Sequence, residues 1–204
     1  MALNLTKNQT INLSKQASQG LTTLKFGVNW GKITTKSGGF FGIGSRTVKE
    51  DVDLDASATT FQSSGVLDTV YYGKLRNSFI THSGDDRVGD CSQDDSDNET
   101  ITVDFTRVPN NVDRIYLYVN SFTGQTFDSL PYTGVRVYEG ATNRPTNTIA
   151  KFEVANDSSF KGVKTMVLGY CEKVNGGWEF KSKGDAVRGI SSIRETVAFI
   201  ANNY

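Results

Sequence analysis

The sequence predicts an all-β fold with a C-terminal helix, arranged as an antiparallel β-sandwich. Apolar and polar residues alternate over many short runs, which is the period-two pattern of half-buried strands. Near the C-terminus, Ile190, Ile193, Val197 and Ile200 recur at steps of three and four residues, the spacing of a helix that packs one face. Many short strands fit a sandwich or a barrel, and we expect a sandwich that the helix caps.

Eight runs carry the strand pattern most clearly. In chain order they are 23–30, 68–75, 100–105, 114–122, 134–139, 148–154, 164–174 and 177–184. Turn-forming residues such as Asn175-Gly176-Gly177 separate them. The segment EDVDLDAS (50–57) also alternates, which predicts a strand with its aspartates on one face. The helix is predicted over 187–200.

A glycine-rich segment, KSGGFFGIGSRTVKED (36–51), interrupts these runs. It does not contain the GxxxxGK[ST] or GxGxxG pattern that places phosphate at the start of a helix. The composition therefore favours a mobile hairpin loop, with Phe40, Phe41 and Ile43 available to contact a partner.

Length and composition indicate a single domain over residues 1–204. The chain contains 37% hydrophobic residues, 22 basic and 22 acidic residues, and no Pro- or Ser-rich linker. This balance of charge disfavours nucleic acid as a partner, because phosphate binding needs an excess of Lys and Arg. We expect a cytoplasmic protein, since no secretory signal or membrane-spanning run is evident and no CxxC pair is present.

The region 85–99 concentrates negative charge in a chain of zero net charge. It contains seven acids against the single Arg87, a local formal charge of −6. The acids are Asp85, Asp86, Asp90, Asp94, Asp95, Asp97 and Glu99. Like charges at short range destabilise a fold unless a cation neutralises them, and an all-oxygen ligand set favours Ca²⁺. Asp53 and Asp55 complete such a site if their strand lies nearby, although a solvated acidic loop without metal remains an alternative.

Other metal and catalytic motifs fit the sequence poorly. An EF-hand that starts at Asp95 has Thr100 where the loop requires glycine and Thr106 where it requires glutamate. The single histidine, His82, and two distant cysteines do not form a zinc ligand set. His82 precedes Ser83 and Asp85, but no nucleophile elbow is present, so we expect it to hydrogen-bond and shape the loop.

Several motifs together resemble the TerD family of tellurium-resistance and stress-response proteins. They are VDLDAS (52–57), HSGDDRVGD (82–90), SDNETITVDFTRVP (96–109) and NGGWEFKSKG (175–184). The resemblance runs nearly from end to end, and the insertion at 32–50 resembles that of the TerX-like branch.

The resemblance implies a β-sandwich that binds one or two Ca²⁺ ions through acidic loops. By motif, the ligands would be Asp53, Asp55, Asp85, Asp86, Asp97 and Glu99. The loop before Asp97 is about three residues longer than the family pattern, which adds Asp94 and Asp95 as further candidates.

The function implied is a non-enzymatic Ca²⁺-binding scaffold or sensor in bacterial tellurite resistance and general stress response. The expected partners are other proteins of a tellurite-resistance or stress complex, with a cytoplasmic location that includes the inner membrane surface. The alternative is a Ca²⁺-dependent membrane- or carbohydrate-binding module that uses Phe40 and Phe41. A third candidate function, metal-assisted phosphoester hydrolysis, would use the same carboxylates, and we do not expect this activity.

Overall fold

Alternating side chains give each strand one core-facing side, and the chain accordingly folds into stacked antiparallel sheets. The structure is a computed structural model, and it describes residues 10–12, 22–37, 46–94, 96–141, 144–155 and 157–204. Its strands are β1 (Thr10–Asn12), β2 (Thr23–Trp30), β3 (Ile33–Ser37), β4 (Arg46–Glu50), β5 (Leu54–Gln62), β6 (Gly65–Val70), β7 (Ile80–His82), β8 (Glu99–Asp104), β9 (Arg114–Ser121), β10 (Thr133–Ala141), β11 (Arg144–Glu153), β12 (Thr165–Val174) and β13 (Gly177–Val187). A helix, α1, spans Ile193–Asn203, and short 3-10 helices span Phe105–Arg107, Phe127–Ser129 and Ser158–Phe160.

The strands form two large sheets and one hairpin. The first sheet has six strands in the order β1-β13-β12-β9-β5-β6, and the second has five in the order β11-β10-β2-β8-β7. Strands β3 and β4 pair only with each other among the described residues. The strand pairs in both large sheets are antiparallel, which confirms the predicted β-sandwich.

The main hydrophobic core lies between the two large sheets. Leu54 and Leu117 come from the six-stranded sheet, whereas Phe26, Trp30 and Val135 come from the five-stranded sheet, and all are buried. Because successive strand residues point to opposite faces, Asp55 and Ser57 lie on the other face of β5 from Leu54 and Ala56. The alternation that buries the core therefore places Asp55 on the outer face of this sheet.

Helix α1 packs on that outer face. Its Ile200 joins Tyr116, Tyr118 and Val167 in a second hydrophobic cluster. Predicted as 187–200, the helix in fact begins at Ile193, because β13 continues to Val187 and the Ser192 side chain caps the helix with Glu195. No helix among the described residues is long and apolar enough to cross a membrane.

Two predicted strands beside the acidic residues differ from the structure in where they begin or end. The run 68–75 ends as a strand at Val70, because Tyr71 and Lys74 exchange backbone hydrogen bonds in a tight turn. The strand predicted at 50–57 starts at Leu54 instead, so Asp53 lies just before it and Asp55 lies within it. Residues 38–45, which include Phe40, Phe41 and Ile43, lie outside the described residues.

Candidate metal centre

Asp53 and Asp55 are held at the start of β5 by backbone contacts on both sides. The Val52 amide donates to the Val88 carbonyl at 3.1 Å, and the Phe122 amide donates to the Asp53 carbonyl at 2.9 Å. The Trp30 indole N–H donates to the Val52 carbonyl at 2.8 Å. Residues from three separate parts of the chain thus fix where these two carboxylates lie.

Asp85 reaches the same place from the loop that follows β7. The next residue, Asp86, shapes this loop, because its Oδ1 accepts hydrogen bonds from the amides of Val88 and Gly89 at 2.9 and 3.1 Å. Gly89 has a φ of 74° and lies against the Trp30 ring, where an added Cβ would come within 2.8 Å of the indole. A side chain at this position would displace the loop that carries Asp85.

The carboxylates of Asp53, Asp55 and Asp85 form a compact group, which we call the acid cluster. One oxygen from each lies within 4.8 Å of the others. Asp53 and Asp55 are 4% and 2% exposed, whereas Asp85 is exposed to solvent. Asp53 Oδ1 is buried and has no hydrogen-bond partner in the part of the chain that the structure describes. A buried carboxylate oxygen without a partner is costly, so the cluster is poised to accept a donor or a cation.

The surroundings of the acid cluster do little to neutralise it. Arg87 Nε lies 3.7 Å from Asp53 Oδ2, but the arginine side chain is 70% exposed, so solvent screens this ion pair. A cavity of about 230 Å³ opens onto the cluster. It is lined by Asp53, Asp55, Asp85, Tyr72, Arg87 and Phe122.

Burial shifts the titration of the two inner acids upward. Desolvation, followed by repulsion from Asp85 and Glu99, raises the pKa of Asp53 to about 6. Desolvation, followed by repulsion from Glu99 and Asp53, raises the pKa of Asp55 to about 8. Both shifts mean that the charged forms lack adequate compensation within the protein.

Glu99 and Asp86 stand next to the cluster but are engaged in hydrogen bonds. Glu99 is fully buried, and its two oxygens accept from the amides of Ala56 and Asp86 at 2.8 and 3.1 Å. Besides its two loop amides, Asp86 accepts from Asn98 Nδ2 at 3.1 Å. His82 shapes this loop as expected, since its Nδ1 accepts from the Gly84 amide at 3.0 Å.

Asp97 lies in a different environment, just before β8, with its side chain against β10 of the five-stranded sheet. Its Oδ1 pairs with Arg136 Nε at 2.7 Å, and its Oδ2 accepts from the Tyr138 hydroxyl at 2.6 Å. The carboxylate is 1% exposed and sits over Gly27, where an added Cβ would come within 2.1 Å of Oδ2. The structure therefore does not bring Asp97 into the acid cluster.

Asp94 and Asp95 complete the predicted ligand set. Asp94 is exposed, and its Oδ1 accepts from the Ser96 amide at 2.7 Å in a local turn. Asp95 lies outside the described residues. Of the eight predicted ligands, the structure brings three together as an all-oxygen group, namely Asp53, Asp55 and Asp85.

The acid cluster fits a hard divalent cation in its chemistry. Three carboxylates offer as many as six oxygens, and Ca²⁺ takes six to eight oxygen ligands in flexible geometry. The unpartnered Asp53 Oδ1 supplies an acceptor that the protein leaves unused. Asp53, Asp55 and Asp85 are thus the residues that would hold such an ion.

The aromatic side chains at this site were not predicted from the sequence. Phe122 ends a predicted strand run and is 55% exposed, and its ring packs edge-on against Tyr72 at 5.5 Å. Alternation predicts one face for both Tyr118 and Asn120, but it does not reveal that Asn120 pairs with Asp55 across β5 and β9. Only the strand register places these residues beside the acids.

Comparison with known proteins identifies the domain. The TerD domain family matches residues 1–196. The tellurium resistance protein TerZ of Serratia marcescens is 33% identical over 192 residues, which cover 92% of this chain and 91% of that protein. The stress response protein SCP2 of Bacillus subtilis (strain 168) is 26% identical over 194 residues, covering 91% of this chain and 92% of that protein.

The fold is also shared with a solved structure. The crystal structure of a homologue of telluride resistance protein (TerD) from Streptomyces coelicolor A3(2) superposes with a TM-score of 0.61 at 22% identity. The match covers 85% of this chain and 92% of that one. This similarity extends to the fold alone.

Proposed function

The chain belongs to the TerD-domain family of tellurium-resistance and stress-response proteins, and from that membership we propose that it is a non-enzymatic Ca²⁺-binding domain. In this proposal it acts as a scaffold or sensor in the cytoplasm, together with other proteins of a tellurite-resistance or stress complex. Calcium occupancy of the acid cluster would be the signal that those partners recognise.

The unpartnered Oδ1 of Asp53 is the observation that carries the proposal. It is buried within a group of three carboxylates whose nearby arginine is largely exposed. Folding buries this oxygen without a hydrogen-bond donor from the described residues, which costs free energy unless a ligand binds it. A cation that binds all three carboxylates removes this cost and the mutual repulsion together.

The engagement of His82 supports a binding role over catalysis. Both ring nitrogens face protein groups, with Nδ1 bonded to the Gly84 amide and Nε2 lying 3.2 Å from the Ala56 carbonyl. The side chain is fully buried. A general base must reach a substrate proton directly or through one water, and His82 is placed to support the loop instead.

Calorimetric titration of EDTA-treated protein with Ca²⁺, and separately with Mg²⁺, tests the proposal. We expect Ca²⁺-selective binding by the wild type and its loss in the triple variant Asp53→Asn, Asp55→Asn, Asp85→Asn. The matched control is the triple variant Asp104→Asn, Asp113→Asn, Asp128→Asn, which removes the same formal charge at positions outside the acid cluster.

Two negative results would have different meanings, one for the location of the site and one for calcium binding itself. Wild-type affinity in the cluster variant would show that calcium binds elsewhere. Absence of calcium binding by the wild type would refute the calcium proposal itself. The scaffold or sensor role predicts that tellurite resistance in cells follows calcium binding, so the cluster variant should fail to complement a strain lacking the gene while the control variant complements it.

A further inference from the structure

Among the described residues, one edge of β5 has no strand partner where it carries the acids. On one side, β5 pairs with β9 from Leu54 to Phe61. On the other side, β6 pairs only from Ala58 onward. The backbone at Ala56, which follows Asp55, therefore has no strand to bond on that side, and buried backbone groups must find other partners.

Two side chains from the opposite sheet take the place of that strand. Glu99 Oε2 accepts from the Ala56 amide at 2.8 Å, and His82 Nε2 lies 3.2 Å from the Ala56 carbonyl. His82 Nδ1 accepts from the Gly84 amide, so the ring hydrogen is on Nε2 and points toward Ala56 and Glu99. The two side chains also approach each other at 3.3 Å, and both are fully buried.

Glu99 also holds the loop that carries the third acid. Its Oε1 accepts from the Asp86 amide at 3.1 Å. Each oxygen of Glu99 therefore bonds the amide of the residue that follows a cluster acid, Ala56 after Asp55 and Asp86 after Asp85. One carboxylate links the strand and the loop from which the cluster is assembled.

From this arrangement we propose that Glu99 is a positioning residue, which sets the separation of Asp55 and Asp85 without coordinating the ion and is supported by His82. The proposal rests on the proposed function, because it assumes a cation in the acid cluster. It reassigns Glu99 from ligand to support. A carboxylate suits this task since both oxygens accept, whereas a glutamine has one acceptor and one donor group.

Glu99→Gln is the primary test. Its amide NH₂ would face a backbone amide, so one of the two links is lost. We expect calcium affinity to fall by about 10- to 100-fold, the range typical of second-layer partners at metal sites. The readout specific to positioning is the number of waters on bound Eu³⁺, measured from luminescence lifetimes in H₂O and D₂O. We expect the wild-type number in Glu99→Gln and a larger number in Asp53→Asn, where a ligand oxygen is lost.

A metal-free measurement gives an independent readout. Amide hydrogen exchange in EDTA-treated protein should accelerate at Ala56 or Asp86 in Glu99→Gln. If this variant does not fold, His82→Gln carries the test, because it leaves both Glu99 links in place. We then expect a smaller fall in affinity with the wild-type water number.

Three results would overturn the positioning role. The first is an increased number of waters on Eu³⁺ bound to Glu99→Gln, and the second is wild-type calcium affinity in Glu99→Gln. The third applies if Glu99→Gln does not fold, and it is wild-type calcium affinity in His82→Gln. Failure of the wild type to bind Ca²⁺ or Eu³⁺ refutes the proposed function instead. In that case, hydrogen exchange that is slower or unchanged at both the Ala56 and Asp86 amides in Glu99→Gln would also refute the role of Glu99 in holding the strand and the loop.

Discussion

Two groups of carboxylates differ in their hydrogen bonding in this fold. The acid cluster of Asp53, Asp55 and Asp85 contains a buried oxygen without a partner. The paired acids, Asp86, Asp97 and Glu99, accept hydrogen bonds at both of their oxygens. We therefore infer candidate cation ligands from the hydrogen-bond state of each carboxylate more than from the density of acids.

The difference arises from what the neighbouring elements present. Asp97 meets the guanidinium of Arg136 and the hydroxyl of Tyr138, two strong donors on β10. Asp53 and Asp55 meet mainly other carboxylates, and among the described residues the exposed Arg87 opposes Asp53 at 3.7 Å. The charge of Asp97 is compensated within the protein. In our proposal, a bound cation compensates the charges of Asp53 and Asp55.

The largest expected effect comes from breaking a paired acid. Asp97→Ala removes the buried carboxylate that pairs with Arg136, whose side chain is 17% exposed. Removing one partner of a buried pair costs about 3–5 kcal/mol, so the free energy of unfolding in urea should fall by that amount in metal-free protein. Calcium affinity should stay at the wild-type value, because Asp97 lies outside the acid cluster.

Tyr138→Phe is the matched control for this change. It removes one hydrogen bond to the Asp97 carboxylate but keeps the ion pair, so the loss should be smaller, about 1.5–3 kcal/mol. A reduced calcium affinity in Asp97→Ala would contradict the division into two groups and restore Asp97 as a ligand.

The next largest effect is calcium-dependent stabilisation through the acid cluster. At a Ca²⁺ concentration of about 100 times its dissociation constant, a ligand that binds only the folded state adds about 2.7 kcal/mol to the free energy of unfolding. We expect this increase in urea denaturation of the wild type and of the control triple variant. The Asp53, Asp55, Asp85 triple variant should show none, and an equal increase there would place the ion elsewhere.

A separate effect is expected in the pH dependence of the stability of metal-free protein. Folding raises the pKa of Asp53 to about 6 and that of Asp55 to about 8, from an ordinary value of 3.8. The folded state therefore binds more protons than the unfolded state at intermediate pH. The contribution of these acids is fully present below about pH 4 and is lost as the pH rises toward about 8.

Urea denaturation of wild type and of Asp53→Asn, Asp55→Asn at several pH values measures this contribution. The variant should be more stable relative to wild type at pH 8 than at pH 5, because it lacks the two buried charges. Saturating Ca²⁺ should reverse the wild-type trend. A difference in the free energy of unfolding that stays constant across this pH range would mean that folding does not change the pKa values of the two acids.

The smallest effect is expected at Asp94. Its side chain is exposed and accepts one local amide, a bond that asparagine keeps. Asp94→Asn should change the free energy of unfolding by less than about 0.5 kcal/mol and leave calcium titration unchanged. A weaker calcium affinity would show that the loop before Asp97 contributes ligands.

Much of the fold was predictable from the sequence, because strand periodicity is local. The runs at 23–30 and 114–122 correspond to β2 and β9, and the sandwich and C-terminal helix are confirmed. Boundaries were less predictable. The start of α1 at Ile193 depends on β13 continuing to Val187, a pairing with β12 that the periodic run alone does not reveal.

The candidate site was predictable only as a set of residue types. The sequence by itself determined most of the longer strands, the acids at 53, 55 and 85–99, and the presence of one histidine near them in the chain. The tertiary structure decided which acids remain unpaired. The donors that satisfy Asp97 lie some forty residues away on β10, and the amide that engages Glu99 Oε2 lies on β5 of the other sheet. A carboxylate's need for a cation depends on such distant donors, and these become neighbours only when the two sheets pack.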